Sequence, residues 1–469
     1  MSLNITPEAA LASLWRDGAW PPEALERVTL TGAEPVLPSS FAVGTAAQVS
    51  TAAAALAASE IGRLRNGLVQ EISVDMRHAA LECCAYFTVD GKRPEAWDKL
   101  AGLYRCNDGW LRLHTNFAHH RDGVLKLLGL LGPAGGAEIA RTAVADALAS
   151  WSALAFEQAA SDAGMVVAAV RRFDEWDAHP QSAALAAQPL VSIERIGDAP
   201  PLAWPALPHE CRPLGGLRVL DLTRILAGPV GTRALAAYGA EVLMVNAPHL
   251  PNIEAIIDMS RGKRSALADL RTPDGRAALF AALREAHVFV QGYRPGSLAR
   301  LGLDAETLAR ERPGLVQVSL SAYGDAGPWG SKRGFDSLVQ TATGFNHAEA
   351  EAAGSAEPKA LPMQVLDMAT GMLIAWGAQS ALVRQRSEGG SWHVKVSLAR
   401  TASWLREFGR VSGGLLGPRA EFEGRLQTFA SAWGEVRAVP HAALFSQTPA
   451  AWARPAVRPG TDRLEWNER

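Results

Sequence analysis

A single carboxylate, Asp367, stands at the start of the stretch of this sequence best suited to carry chemistry. The extended run 361–366 gives way there to a helix rich in alanine, leucine and methionine, which places Asp367 at or next to the helix N-cap. The amides and the macrodipole of a helix N-terminus would keep this carboxylate ionised and pointed outward, as a nucleophile requires. Aspartate is also a preferred capping residue, so a purely structural role explains the position equally well when it is considered alone.

The composition excludes several classes of function. The chain has 469 residues and a formal net charge of −2, whereas a protein that binds nucleic acid or an anionic membrane needs a concentrated basic patch. The four cysteines show no C-x-x-C spacing, which predicts neither a metal site nor a disulfide framework. Because the sequence shows no leader pattern and no apolar run of about 18 residues, we expect a cytoplasmic protein without a membrane span.

The first two hundred residues predict a mainly helical segment. Helices are expected at 8–16, 45–65, 119–131, 136–149, 151–163 and 173–187, with another beginning near Arg77. A strand is expected at 70–76, and the turn Asn107-Asp108-Gly109 predicts a β-hairpin within 104–114. Five prolines within 198–213 indicate a linker.

Beyond the linker the pattern becomes an alternation of strands and helices. Strands are predicted at 217–222, 241–246, 287–291 and 315–320, and helices at 230–238, after Thr272 and at 297–310. Units of this length predict the α/β class, with a Rossmann-like parallel sheet layer and a second α+β domain. The glycine spacing G-x-G-x-x-G of dinucleotide-binding enzymes is missing from the turn after 217–222, which argues against a dehydrogenase.

The sequence also contains an internal repeat. Residues 46–80 can be aligned with 367–402, and both stretches read as an alanine-rich helix, an Arg-x-Arg pair, a glycine turn, a strand and a helix. We therefore predict that 1–212 is a degenerate half-copy and that 213–469 holds the sheet and the catalytic region. Ala46 takes the place of Asp367 in the first copy, so only the second copy could supply a nucleophile.

Eight short motifs follow one another along 214–371, and their order is typical of one protein family. They lie at 214–229, 238–245, 261–270, 292–296, 300–303, 323–328, 334–336 and 366–371. Over 214–404 the chain resembles the family III CoA-transferases (CaiB/BaiF family), which include formyl-CoA and carnitine CoA-transferases and the α-methylacyl-CoA racemases. Residues 45–200 resemble the segment that normally follows the nucleophile in that family. The chain thus resembles a rearranged member, and the family's homodimer is a further expectation.

The resemblance implies a covalent mechanism. The aspartate at the position of Asp367 attacks an acyl-CoA thioester, a mixed anhydride and then an aspartyl-CoA thioester form, and a carboxylic acid removes the CoA. CoA is then substrate and product, no covalently bound cofactor or metal is needed, and amides that follow Asp367 would stabilise the oxyanions. The positions that contact CoA in the family are held here by Ala227, Lys263, Arg264, Gly292, Tyr293, Arg300, Tyr323 and Arg333. Supporting positions are held by Asp336 and Gly371.

Departures from the family pattern leave two alternatives open. Phe335 stands where the racemases have a histidine, and a racemase or epimerase would therefore need another second base. His347 is the histidine near the motifs, and we interpret it as a surface residue. Arg294 is interpreted as a solvated side chain. The other alternative is a CoA-binding protein without turnover, and the sequence names neither the acyl donor nor the acceptor acid.

Overall fold

A seven-stranded, mostly parallel sheet is the largest element of the computed structural model, which describes residues 5–132, 135–136 and 138–467. The strands are β1 (Val28–Thr31), β2 (Ile72–Asp75), β3 (Phe87–Val89), β4 (Gly102–Arg105), β5 (Trp110–Leu113), β6 (Val167–Ala169), β7 (Ser192–Gly197), β8 (Arg218–Leu222), β9 (Glu241–Asn246), β10 (Lys263–Leu267), β11 (Val288–Gln291), β12 (Val316–Ser321), β13 (Ser391–Ser397), β14 (Gln427–Ser431), β15 (Gly434–Ala438) and β16 (Ala443–Phe445).

Helices surround this sheet and form most of the remaining structure. They are α1 (Pro7–Asp17), α2 (Val43–Asn66), α3 (Met76–Cys83), α4 (Ala118–Leu127), α5 (Arg141–Leu148), α6 (Ala153–Asp162), α7 (Phe173–Asp177), α8 (Pro180–Ala186), α9 (Ala227–Ala237), α10 (Ile256–Met259), α11 (Pro273–Leu283), α12 (Ala305–Glu311), α13 (Asp336–Ala342), α14 (Phe345–Ala352), α15 (Val365–Glu388) and α16 (Leu398–Glu407). Short 3₁₀ turns lie at Pro22–Arg27, Ala299–Leu301 and Gly414–Leu416. In the part of the chain that the structure describes, no helix combines the length and the apolar character needed to cross a membrane.

The large sheet has the order β10-β9-β8-β11-β12-β13-β7, in which only β7 runs antiparallel to its neighbour. Successive strands extend from β8 to one side and from β11 to the other, so the strand order reverses between these two strands. In open α/β sheets this reversal leaves a crevice at the carboxyl ends of the strands, where ligands bind. The predicted α/β class with a parallel sheet is confirmed.

Strand β8 shows how the sequence builds two cores. Val219 faces a core shared with α2, α9 and α15, whereas Leu220 and Leu222 face a second core that includes Leu279 and Leu283 of α11. Every residue of β8 is buried, as expected for a parallel strand covered on both faces. The period of two therefore directs alternate side chains of one strand to opposite layers of helices.

Several predicted elements are confirmed and others are wrong in extent. The strands predicted at 217–222, 241–246, 287–291 and 315–320 are confirmed as β8, β9, β11 and β12, and the hairpin as β4 and β5. The helix predicted at 173–187 is two helices, because Pro180 starts α8 after an extended residue, His179. The helix predicted at 297–310 is interrupted by Gly302 at φ 75°. Of the helix predicted at 136–149, α5 forms the second half, and residue 137 lies outside the described residues.

The two long helices of the predicted repeat, α2 and α15, pack against each other. Each has 24 residues, and their N-caps have nearly the same backbone angles, φ −79° and ψ 60° for Ala42 and φ −82° and ψ 61° for Gln364. Gln379 Nε2 donates a hydrogen bond of 3.1 Å from α15 to the carbonyl of Ala54 in α2. Counted from the helix start, the residue that matches Asp367 is Thr45, one position before Ala46.

Segments 1–212 and 213–469 are joined by strand pairing in three sheets. β16 pairs with β2, β15 pairs with β3, and β7 forms the edge of the large sheet beside β13. A buried ion pair links Glu82 of α3 to Arg233 of α9 at 3.3 Å. Both segments therefore contribute strands to the same sheets and side chains to the same ion pair.

Candidate active site

A cavity of about 340 Å³ lies at the carboxyl ends of β8, β11 and β12, where the strand order reverses. Its size falls within the range of about 300–1,000 Å³ that is usual for ligand sites. Asp367 forms part of its wall. A second cavity of about 460 Å³ adjoins it and shares Arg294, Pro295, Leu320 and Ser321 with it. Together they form a long groove along the carboxyl edge of the sheet.

Asp367 is the third residue of α15, and Gln364 is the N-cap. Only 8% of Asp367 is exposed, so the side chain lies in the cavity wall and not on an exposed surface as expected. Burial and the nearby Asp336 carboxylate raise the pKa of Asp367 well above its ordinary value, and a hydrogen bond from the Ala227 N–H opposes the shift. A buried site with a like charge beside it favours the protonated form, in contrast to the ionised carboxylate that the helix N-terminus led us to expect.

Asp336 begins α13 and is completely buried. Its Oδ2 accepts the N–H of Asp367 at 2.8 Å, and its Oδ1 accepts a hydrogen bond from Gln340. Burial raises the pKa of Asp336 to about 7, although these hydrogen bonds and the Arg112 guanidinium oppose the shift. Asp336 has more donors than Asp367, so the first negative charge of the pair belongs on Asp336 and the pair holds a proton near neutral pH.

The backbone donor beside the Asp367 carboxylate comes from α9. Ala227 is the first residue of that helix, and its N–H bonds the Asp367 side chain. The sequence predicted such donors from the amides after Asp367, but the chain delivers one from the turn after β8. Ile225 adopts φ 77° in this turn, a conformation that is costly for a β-branched residue and that sets the direction in which α9 starts.

Gly371 lets α9 approach α15 closely. A Cβ atom at Gly371 would lie 2.6 Å from the Cβ of Val230 and 2.7 Å from the carbonyl oxygen of Ala227. At the same crossing, a Cβ atom at Gly231 would lie 2.6 Å from the carbonyl oxygen of Gly371. Such separations exclude any side chain, so Gly371 positions the first turn of α9 against Asp367 and does not itself line the cavity.

Three arginines, Arg224, Arg294 and Arg333, line the cavity. Across residues 5–132, 135–136 and 138–467, none of them forms an ion pair with a carboxylate. Arg224 and Arg333 bond the carbonyl oxygens of Pro251 and Gly164, and burial lowers the pKa of both guanidinium groups. The cavity is therefore electropositive without internal neutralisation.

Two of these arginines were missed by sequence reasoning. Arg294 is exposed, in agreement with its interpretation as a solvated side chain, and it also lies in the wall of both cavities. Arg224 follows the end of β8, and its place after a strand that borders the reversal point is a signal that could have identified it. Gly292 and Tyr293, which the resemblance selected, also line the cavity, as does Arg333.

Lys263 and Arg264 do not reach the cavity. Lys263 is completely buried, and its Nζ lies 3.0 Å from Asp221 Oδ2 and 2.7 Å from Thr232 Oγ1. Burial also lowers the pKa of Lys263. Arg264 donates to the carbonyl of Glu465 at 2.7 Å and is covered by the C-terminal segment. The expectation of two accessible cations is corrected, because both side chains hold β10 to other parts of the protein.

Neither Tyr323 nor Arg300 lines the cavity: Tyr323 is buried in the protein, and Arg300 is exposed on the surface. Tyr323 is 1% exposed and packs edge-on against Trp329, with ring centroids 4.9 Å apart. Arg300 is exposed on the short turn Ala299–Leu301. His347, which was interpreted as a surface residue, is half-buried on α14 and does not line the cavity. A bound ligand would meet neither Tyr323 nor His347 in the arrangement described.

Histidines from the first segment complete the wall beside Asp367. His119 and His120 line the cavity together with Phe335. The ring of His114 stacks on Phe335 with centroids 3.9 Å apart and planes 12° apart. Sequence reasoning missed all three histidines, because they precede the region 214–404 that carries the family motifs and no local motif marks them.

Comparison with known proteins agrees with this geometry. Residues 214–421 match the model of CoA-transferase family III. An acyl-CoA transferase of Gibberella moniliformis is 30% identical over 367 residues, covering 70% of this chain and 64% of the relative. A succinate–glutarate CoA-transferase of Agrobacterium fabrum is 32% identical, covering 41% of this chain and 52% of the relative. Residues 214–421 are thus similar to CoA-transferase family III, and the chain spans between half and two thirds of the length of these two relatives.

Solved structures include similar chains. A hypothetical protein from Mycobacterium tuberculosis is 32% identical to this chain, with a TM-score of 0.39, and the match covers 42% of this chain and 57% of that one. A CaiB/BaiF family protein from Brucella suis is 27% identical, with a TM-score of 0.36, and the match covers 48% and 65% of the two chains.

Proposed function

We propose that this chain transfers CoA from an acyl-CoA to a carboxylic acid, with Asp367 as the nucleophile. The observation that carries the proposal is the placement of the Asp367 carboxyl group in the cavity wall, against the Ala227 N–H and beside a second carboxyl group. The similarity of residues 214–421 to the family and the names of the relatives support CoA transfer. The donor and the acceptor acid stay unassigned.

The proposed cycle uses only the chain's own groups and its two substrates. Ionised Asp367 attacks the thioester carbon, the C–S bond breaks, and an acyl-aspartyl anhydride and CoA thiolate form. The thiolate then attacks the Asp367 carbonyl carbon, which releases the first acid as a carboxylate and leaves aspartyl-CoA. The acceptor carboxylate repeats these two steps in reverse order and departs as a new acyl-CoA, which regenerates the Asp367 carboxylate. An anhydride nearly conserves the activation of a thioester, so the barrier is divided into smaller steps.

Asp367 can attack the thioester only after it loses the proton that it shares with Asp336. Asp336 is the group with more hydrogen-bond donors, and a charge on it raises the cost of a second charge on Asp367. The Ala227 N–H is the group that stabilises the Asp367 carboxylate. Substrate that excludes water from the cavity would also strengthen the bond from this amide.

The three unpaired arginines fit the phosphate groups of CoA. Guanidinium groups bind phosphate oxygens in bidentate geometry, and an arginine without a carboxylate partner loses no internal ion pair on binding. Arg294 at the junction of the two cavities and Arg224 and Arg333 in the first one follow the groove in which an extended CoA would lie.

Replacing Arg224 or Arg333 by glutamine should raise the KM for acyl-CoA by about 10- to 100-fold, the range expected for loss of a charged hydrogen bond. Steady-state rates with acyl-CoA and acceptor varied separately would measure this. Arg310→Gln is the matched control, because Arg310 is exposed on α12 and lies outside both cavities. An unchanged KM for acyl-CoA in both variants would contradict the assignment of these arginines to CoA.

A trapping experiment tests the proposed function itself. The protein is incubated with a panel of acyl-CoAs and then with hydroxylamine or borohydride, and peptide mass spectrometry locates the modified residue. We expect a hydroxamate or a reduced side chain at Asp367, because both the anhydride and the aspartyl-CoA thioester are reactive acyl groups, and we expect no modification in Asp367→Ala. The donor that gives the adduct would be identified by the same experiment.

The two alternatives predict different results in this experiment. Exchange of the α-proton of the acyl group in D₂O, without an adduct at Asp367, would replace the proposal by a racemase or epimerase that uses His119 or His120 as the second base. Bound CoA with neither an adduct nor exchange would replace it by a binding protein without turnover.

We also infer that α2, β2 and α3 derive from a copy of α15, β13 and α16. The two helix starts are held in the same way: the N–H of Thr45 donates to Glu34 Oε1 at 2.8 Å, and the N–H of Asp367 donates to Asp336 Oδ2 at 2.8 Å. Thr45 offers a hydroxyl where Asp367 offers a carboxyl group. The first copy therefore supports the fold and supplies no acidic nucleophile.

A further inference from the structure

His120 is a buried polar side chain in the cavity wall that the proposed cycle does not use. It is 5% exposed and belongs to the first turn of α4, so it comes from the first segment of the chain. Its Nδ1 is buried, and no hydrogen-bond partner for it exists within the described ranges. The side chain shares the cavity with Asp367, and we therefore assign the other ring nitrogen, Nε2, to the cavity side.

Neighbouring aromatic rings fix the position of this imidazole. The ring of His120 meets the ring of Phe117 edge-on at a centroid distance of 5.6 Å and that of Phe335 at 6.4 Å. Phe335 directly precedes Asp336, whose carboxylate holds the N–H of Asp367. These ring contacts therefore hold the imidazole beside Phe335, in the cavity wall that also contains Asp367.

We propose that His120, as a neutral imidazole, donates a hydrogen bond from Nε2 to the carbonyl oxygen under attack and stabilises the oxyanion of each tetrahedral intermediate. The inference rests on the proposed function, because it needs an acyl group bound at Asp367. No proton is transferred: the Nε2–H bond stays intact while the C=O double bond becomes a C–O⁻ single bond and returns. The Nε2–H tautomer is assigned because only the accessible nitrogen can reach a ligand.

The surroundings keep this imidazole neutral. Burial lowers the pKa of His120 to about 3, and His119, Arg333 and Arg224 add positive charge that lowers it further. The groups facing it therefore include three cations or potential cations, and Asp367 and Asp336 hold a proton between them near neutral pH. A neutral imidazole is a sufficient donor to a developing oxyanion and does not have to lose its hydrogen to act.

The test uses the acyl-CoA that labels Asp367 in the trapping experiment, with ¹³C at the thioester carbonyl. In Asp367→Asn, which cannot form the anhydride, the infrared carbonyl band of bound acyl-CoA should shift to lower frequency than in water. The double variant Asp367→Asn/His120→Ala should lose this shift, whereas Asp367→Asn/His120→Asn should retain part of it, because asparagine offers an N–H. If His120 had a purely structural role, the band would lie at the same frequency in Asp367→Asn and in Asp367→Asn/His120→Ala.

Kinetics of the single variants provide the second measurement. His120→Ala should reduce kcat by about 10²-fold, as is typical for loss of one oxyanion donor, with the KM for acyl-CoA nearly unchanged and the pH profile unshifted. His120→Asn should recover part of the rate, and it also serves if the alanine variant does not fold. His209→Gln, an exposed histidine outside both cavities, is the control.

The outcomes separate the two hypotheses. A normal adduct at Asp367, with wild-type rate and an unshifted carbonyl band in His120→Ala, would overturn the role of His120 and leave the transferase proposal standing. Loss of one limb of the pH profile in the variant would show proton transfer and would equally overturn the neutral donor. Absence of an adduct in the unmodified protein would instead remove the proposed function.

Discussion

Replacing Asp367 by asparagine should reduce kcat for CoA transfer by about 10³-fold or more, the scale on which removal of a covalent nucleophile acts. The amide has nearly the size of the carboxyl group and its oxygen can still accept the Ala227 N–H, but it cannot form an anhydride. Binding of acyl-CoA should therefore change by only a few fold. Initial rates and calorimetric titration with CoA would separate the two effects.

The matched control is Asp274→Asn, which changes an exposed aspartate in the first turn of α11 that lines neither cavity. It should transfer CoA at the normal rate. A transfer rate near that of the unmodified protein in Asp367→Asn would mean that another group carries the acyl chemistry, and the mechanism proposed above would have to be abandoned.

The second large effect is on pH dependence. In the proposed mechanism the nucleophile is the ionised form of Asp367, whose pKa burial and Asp336 raise well above its ordinary value. The rate constant kcat/KM should therefore still be rising with pH around neutrality, because the ionised fraction grows as the pH approaches this raised pKa. An isolated aspartate would have reached its plateau by about pH 5.

Asp336→Asn should shift this rising limb to lower pH by about one unit or more, because it removes the like charge that opposes ionisation of Asp367. The asparagine oxygen can still accept the N–H of Asp367, so the start of α15 should keep its geometry. Rates measured from pH 5 to pH 9 for both proteins would show the shift. A limb in the ordinary carboxyl range for the unmodified protein would contradict the raised pKa.

The same carboxyl pair should make the folded protein less stable as the pH rises, although the rate of transfer increases over the same range. The pKa of Asp336 rises from about 4 in the unfolded chain to about 7 in the folded protein. Between these values the folded protein holds a proton that the unfolded chain has released, so the free energy of unfolding falls as the pH rises through this window. Asp336→Asn should remove this contribution. The Tm of the variant minus the Tm of the unmodified protein should therefore increase from pH 5 to pH 8.

The sheet could be predicted from the sequence because its strands and helices have local signals. Short, largely apolar runs such as β8 and β9 and the cap at Thr272 are determined by residues close in the chain. The start of α15 near Asp367 has the same kind of signal, the change from an extended run to an alanine-rich helix, whereas a catalytic role for Asp367 was implied only by the resemblance to a family.

The environment of the site could not be predicted because it is assembled from distant segments. The exposure of Asp367 depends on α13 and on the turn before α9, and the orientation of Lys263 depends on Asp221, which lies on a strand two places away in the sheet. A basic residue in a motif has the same letter whether it faces solvent, a ligand or a buried carboxylate. His120 carries no local signal at all, because only the tertiary fold brings α4 to the cavity.

The pairing of β16 with β2 has a consequence for the synthesis of the chain. β2 is the central strand of the order β1-β2-β16, and its partner Ala443–Phe445 leaves the ribosome long after Ile72–Asp75. Until then, the nascent chain carries a strand with one unpaired edge, an edge that invites pairing with other chains. The front segment therefore cannot reach its final state before residues 443–445 have been synthesised, and a chain truncated before residue 443 keeps that edge open.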